Sequence, residues 1–118
     1  AAHALVAEPP DLALLGALGA QALLTITPDG GGRHLVRASG GRTLTLFGPT
    51  DPLHSASAGP EEVRLQRRVP CGPCHEETCP LTGQQGRLRC FLDLVGDPLQ
   101  STLQRALDEA LEARRAPI

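Results

Sequence analysis

The sequence predicts an α/β fold in which a partial parallel sheet is flanked by helices. Two β-like runs, residues 22–27 and 43–47, each stop at a cluster of Gly, Pro and Asp. The first is apolar almost throughout, the pattern of a strand covered on both faces, which favours a parallel sheet. From Pro28 to Arg42 the chain is long enough for a parallel crossover, which takes about a dozen residues or more. If both runs are parallel, residues 29–34 and 48–51 leave the sheet together at the carboxyl ends of the strands, where α/β folds hold ligands. The local pattern equally admits a β-meander through residues 22–47. Asp29-Gly30 after an alternating run is a hairpin signal, and His34-Leu35-Val36-Arg37 reads as a returning strand.

Taken in order, residues 4–7 read as the end of a strand, and Glu8-Pro9-Pro10 breaks the chain. Asp11 can cap a helix over residues 12–18, with Leu14, Leu15 and Leu18 near one face and Gly19 as its stop. Pro28 closes the first strand. A short helix over residues 33–39 follows, and Ser39-Gly40-Gly41 turns the chain into the second strand. Residues 61–68 alternate weakly, Val63 and Leu65 inward and Arg64, Arg67 and Arg68 outward, as in a short edge strand. Asp97 and Pro98 suit an N-cap and first turn, opening a helix to about Arg115 with Leu99, Leu103, Ala106, Leu107, Ala110 and Leu111 as its apolar stripe.

Length and composition narrow the function classes. A chain of 118 residues allows one domain with a modest core. Phe47 and Phe91 are its two aromatics, so Leu, Ala and Val must build that core. All basic charge comes from Arg, and the net charge of -2 with no basic, aromatic-studded stripe argues against a nucleic-acid binder. The apolar stretch over residues 12–26 is interrupted by Gly16, Gly19 and Gln21 and is too mixed to span a bilayer. With neither signal peptide nor transmembrane segment, a cytosolic setting is the default. The absence of Met suggests a processed chain or a piece of a longer protein.

The loop after the first run carries the clearest chemistry. Gly30, Gly31 and Gly32 remove side chains from one face and let backbone N–H groups approach an anion. Asp29 can cap the first amides of the following helix, while Arg33 and His34 supply positive charge. That combination suits a diphosphate or a sugar hydroxyl. In the second loop, Gly48-Pro49-Thr50-Asp51-Pro52 holds a hydroxyl and a carboxylate between prolines. Thr50 can bond a phosphate there, although the same residues are ordinary turn chemistry. His54 lies just beyond.

Three blocks in order carry a family resemblance. Asp29-Gly30-Gly31-Gly32-Arg33-His34 resembles the D-T-G-P-x-H loop of family 9 glycosyltransferases, the lipopolysaccharide heptosyltransferases. Leu46-Phe47-Gly48-Pro49-Thr50-Asp51-Pro52 is similar to that family's LFGPTDP segment. Cys71-Gly72-Pro73-Cys74 with Cys79 and Cys90 resembles a cysteine pattern that many members carry downstream. The likeness runs from about Asp11 to Leu111 and matches the final part of a full-length member. It favours the strand–helix–strand reading over the meander. It implies that residues 1–118 form a single partial domain, the C-terminal nucleotide-sugar-binding portion of a GT-B fold built from Rossmann-like sheets, with residues 69–92 as a cysteine-containing loop within it. Departures stand out: Gly30 replaces the usual Thr or Ser, Gly32 and Arg33 replace Pro and an apolar residue, and Arg37 stands where a small residue is expected.

Cys71-x-x-Cys74 sets two thiols on a tight turn, and Cys79 and Cys90 can complete a four-sulfur zinc site, with His75 as an alternative ligand. The later spacing is irregular for a zinc ribbon, and disulfides or free thiols remain the competing readings. In each case the segment reads as structural, because no base stands beside a thiol.

By resemblance, the parent enzyme is an inverting glycosyltransferase that moves heptose, or a related sugar, from an ADP-activated donor to the lipopolysaccharide core. Its setting would be the cytoplasm, with peripheral contact at the inner face of the membrane as an option. Asp29, Gly30, Gly31, Gly32 and His34 would hold sugar and diphosphate, with Thr50 and Asp51 bordering the cleft. No catalytic residue is assigned in this chain, and no cofactor is required for the chemistry, with structural zinc as the possible ion. The acceptor and the general base belong to an N-terminal domain, so this portion is expected to be inactive by itself. Two other classes stay open: a non-catalytic zinc-stabilised module, and a generic nucleotide- or phosphate-binding domain.

Overall fold

In the computed structural model, residues 11–52, 62–67, 69–76, 79–80 and 89–115 are described. The expected strand at residues 4–7, the Glu8-Pro9-Pro10 break, His54 and Arg68 lie outside them. The described chain runs α1 (Leu12–Gln21), β1 (Thr25–Pro28), α2 (Gly31–Ala38), β2 (Thr43–Phe47), β3 (Glu62–Gln66), α3 (Arg89–Leu92) and α4 (Asp97–Arg115).

The sheet is parallel, ordered β1-β2-β3, so the α/β expectation holds and the meander does not form. Thr25 pairs with Thr43 and Thr43 with Glu62, Thr27 with Thr45 and Thr45 with Arg64. Side chains alternate along a strand, which sorts the sheet into two faces. Thr43, Thr45, Phe47, Glu62, Arg64 and Gln66 share one of them. Leu44, Leu46, Val63 and Leu65 share the other, together with Ile26. Central β2 is buried on both, at Thr43, Leu44, Thr45 and Phe47.

Asp11 caps α1 as its sequence suggests, Oδ1 accepting from the Leu14 amide at 2.7 Å. The helix does not stop at Gly19; it continues to Gln21, because Gly19 serves packing rather than termination. A Cβ there would meet the Val36 methyl carbons at 2.7 and 2.8 Å, so glycine lets α1 lie directly on α2. The buried face of α1 accordingly centres on Gly16 and Gly19, flanked by half-buried Leu15 and Leu18, while Leu14 stays exposed.

β1 begins at Thr25, later than expected, and includes Pro28, which pairs with Leu46. Among the described residues β1 is an edge strand, where a missing N–H donor on the outer side is tolerated. α2 starts two residues early, taking Gly31 and Gly32 into its first turn. Its C-terminus is a Schellman turn: Gly40, at φ +92°, donates to the Arg37 carbonyl and Gly41 to that of Val36. α3 was not anticipated; its Phe91 leads into the turn that starts α4. α4 matches the expected span, with Ala106 and Ala110 as its buried residues. Arg114 Nη2 donates to the Gln21 carbonyl at 3.0 Å, tying the end of α4 to the end of α1. No helix among the described residues is long and apolar enough to cross a membrane.

Candidate functional site

β1 and β2 end side by side, and the Asp29 amide extends their ladder by donating to the Leu46 carbonyl at 3.1 Å. The two loops therefore leave the sheet together, as a parallel pair requires. Thr50 Oγ1 donates to Asp29 Oδ2 at 2.5 Å, a bond from one loop directly to the other. The other oxygen, Oδ1, accepts from Arg33 Nε at 3.1 Å.

Two expectations change here. The N-cap position of α2 is Gly30, not Asp29, and the Asp29 carboxylate bridges Arg33 and Thr50. Arg33 does not offer its charge to solvent: it is 0% exposed and is the largest fully buried side chain among the described residues. Its Nη1 donates to Glu62 Oε2 at 2.6 Å, and its Cζ lies 5.3 Å from the Phe47 ring centroid, a cation–π distance.

Gly30 is extended, at φ 176°, a conformation open to any residue. A Cβ at Gly30 or Gly31 would meet nothing within 4 Å, so the start of α2 is spatially accessible. Gly32 is closer packed, facing Leu15. His34 is exposed on the first turn of α2, and Thr50 and Asp51 are half-buried in the second loop. The fold thus gathers Asp29, Gly30, Gly31 and Thr50 at one edge, with His34 and Asp51 adjoining in sequence.

Sequence reasoning missed the residues that hold the second loop. Gln66 Nε2, on β3, donates to the Gly48 carbonyl at 3.2 Å and the Thr50 carbonyl at 2.7 Å. Phe91 packs so tightly on Gly48 that any Cβ there would collide with its ring. The His75 amide donates to the Pro49 carbonyl at 2.8 Å. The one available signal was parity: an alternation with Val63 and Leu65 on one face puts Glu62 and Gln66 on the opposite one.

No disulfide joins Cys71, Cys74, Cys79 or Cys90. Burial pushes the Cys90 thiol above its ordinary pKa; a hydrogen bond from the Phe91 backbone works against this, and the nearby Cys71, Cys74 and Cys79 add to it. Among the described residues, no three His, Cys, Asp or Glu side chains are set to hold a metal ion. A shallow groove of about 540 Å³ runs along α4 between Gln100 and Glu112, and among the described residues its lining comes from that one helix.

A parallel strand–helix–strand unit with both loops joined at the strand ends defines an α/β fold of partial Rossmann-like type. The profile of glycosyltransferase family 9 (heptosyltransferase) matches residues 2–84, and the chain belongs to that family. It is similar to lipopolysaccharide heptosyltransferase 1 of Pseudomonas aeruginosa, with 41% identity over 61 residues that cover 52% of this chain and 17% of the relative. No solved structure matches it.

Proposed function

We propose that this chain supplies the donor-binding part of a glycosyltransferase, a portion of the C-terminal domain in a GT-B arrangement. It would hold an ADP-activated heptose for transfer to the lipopolysaccharide core in the cytoplasm. The observation that carries this reading is the Thr50–Asp29 bond across the two strand-end loops, with the accessible start of α2 directly beside it.

Transfer from a nucleotide sugar breaks the bond between the anomeric carbon and the diphosphate, so negative charge grows on the departing phosphate oxygen. Backbone N–H groups at a helix start, and the positive end of its dipole, favour that charge. Gly30 and Gly31 leave room for the diphosphate to reach them, His34 adds a donor on the same turn, and Thr50 and Asp51 border the sugar. Deprotonating the acceptor hydroxyl needs a base, which this reading assigns to the N-terminal domain of the full-length enzyme. The 118-residue chain is therefore expected to bind donor without turning it over.

Calorimetric titration of this chain with ADP-heptose and with ADP tests the reading. Tighter binding of ADP-heptose, lost in an Asp29→Ala, His34→Ala variant, supports it. A second reading has its own observation: the Asp29 carboxylate already accepts from Arg33 and Thr50, which favours a nucleotide or phosphate site with no sugar contact at Asp29. Equal affinity for the two ligands would select that one. Folded protein that takes up neither ligand would overturn both.

A further inference from the structure

We infer that two residues of β3, Glu62 acting through Arg33 and Gln66 acting directly on the second loop, are the positioning residues that fix the two site loops relative to each other; the functional meaning of this rests on the donor-site reading. Hydrogen bonds form one continuous path. Glu62 Oε2 accepts from Arg33 Nη1 at 2.6 Å, Arg33 Nε donates to Asp29 Oδ1 at 3.1 Å, and Asp29 Oδ2 accepts from Thr50 Oγ1 at 2.5 Å. That path starts on β3, crosses α2, and ends by joining the loop after β1 to the loop after β2. Gln66 closes it from the other side, one amide nitrogen donating to the carbonyls of Gly48 and Thr50.

The energetics argue that stability is not the reason for the pair. Arg33 and Glu62 side chains are both 0% exposed. Withdrawing two charges from water costs about as much as their attraction returns, and an apolar pair of similar volume is often as stable or more so. What an apolar pair cannot do is orient a guanidinium. The fork held by Glu62, with Phe47 on its face, presents Nε to Asp29 in a fixed direction. Glu62 is itself held in place, its Oε1 accepting from Arg64 Nε at 3.2 Å and Arg37 Nε lying 3.9 Å from Oε2. Arg33 therefore has a buried counter-charge on the third strand, and β3 becomes the strand that sets the shape of the site.

The test compares the wild-type chain with an Arg33→Leu, Glu62→Leu double variant and with Glu62→Gln. The readouts are the urea midpoint, backbone amide resonances, and calorimetric affinity for ADP-heptose. The double variant is expected to keep a near-wild-type midpoint, to shift the Gly30, Gly48 and Thr50 amides, and to weaken donor binding roughly ten-fold, since misplaced site groups cost affinity out of proportion to the displacement. Glu62→Gln keeps the shape and one acceptor and is expected to move the same amides by less; it decides the matter if the double variant does not fold. Amides at Gly30, Gly48 and Thr50 that stay in place in a folded variant would overturn the inference, as would undiminished affinity. Wild-type protein that binds no donor would sink the donor-site reading separately, with the amide shifts still deciding whether Glu62 positions the loops.

Discussion

The two faces of β2 are both buried at their centre, but one is purely apolar and the other carries hydroxyls and charge beside Phe47. Leu44 and Thr45 are neighbours in sequence and both are 0% exposed. Leu44 belongs to the apolar face with Leu46, Val63 and Leu65, whereas Thr45 belongs to the face that carries Thr43, Glu62 and, through its ion pair, Arg33. The hydroxyls of Thr43 and Thr45 have no hydrogen-bond partner among the described residues. Burial alone therefore says little about the role of an interior. One face contributes free energy by removing apolar area from water, while the other spends part of it on charges and hydroxyls whose effect is geometric.

The sharpest way to break the comparison is Glu62→Ala. Leaving Arg33 buried without its main counter-charge should cost about 3–5 kcal/mol by urea denaturation, and adding Arg33→Leu should recover most of it. Purely additive effects would contradict a coupled polar face. Leu44→Ala should cost about 2–5 kcal/mol, with no partner substitution that restores it, as expected of simple packing. Thr45→Val goes the other way: exchanging an unpartnered buried hydroxyl for a methyl should raise stability by about 1 kcal/mol, and a loss would mean the hydroxyl is satisfied. Smallest of all, Gly30→Ser places a better N-cap in open space and should add a few tenths of a kcal/mol in thermal melts.

The apolar face was the legible one. A nearly continuous apolar first run, breaks at Pro28 and Gly48, and the Asp97-Pro98 helix start are local signals, and they located the strands, the strand-end loops and α4; the parallel order was decided by the family resemblance, since the local pattern admitted a meander equally well. Other features depended on contacts distant in sequence. Gly19 reads as a helix stop until Val36 is seen against it, and Asp29 reads as a simple helix cap until Thr50, in another loop, is seen bonded to it. Arg33 looks like a ligand-facing charge unless Glu62, on the third strand, is known to meet it. Local pattern cannot show which distant side chain satisfies a polar group, and the site is built from such pairs.

One measurement tests the central claim most directly: a titration of the isotope-labelled chain with ADP-heptose followed through its backbone amide resonances. The account predicts shifts at Gly30, Gly31, His34, Thr50 and Asp51, with the α4 residues Gln100, Gln104 and Asp108 unmoved. Shifts confined to the α4 groove, or none in the strand-end loops, would contradict it.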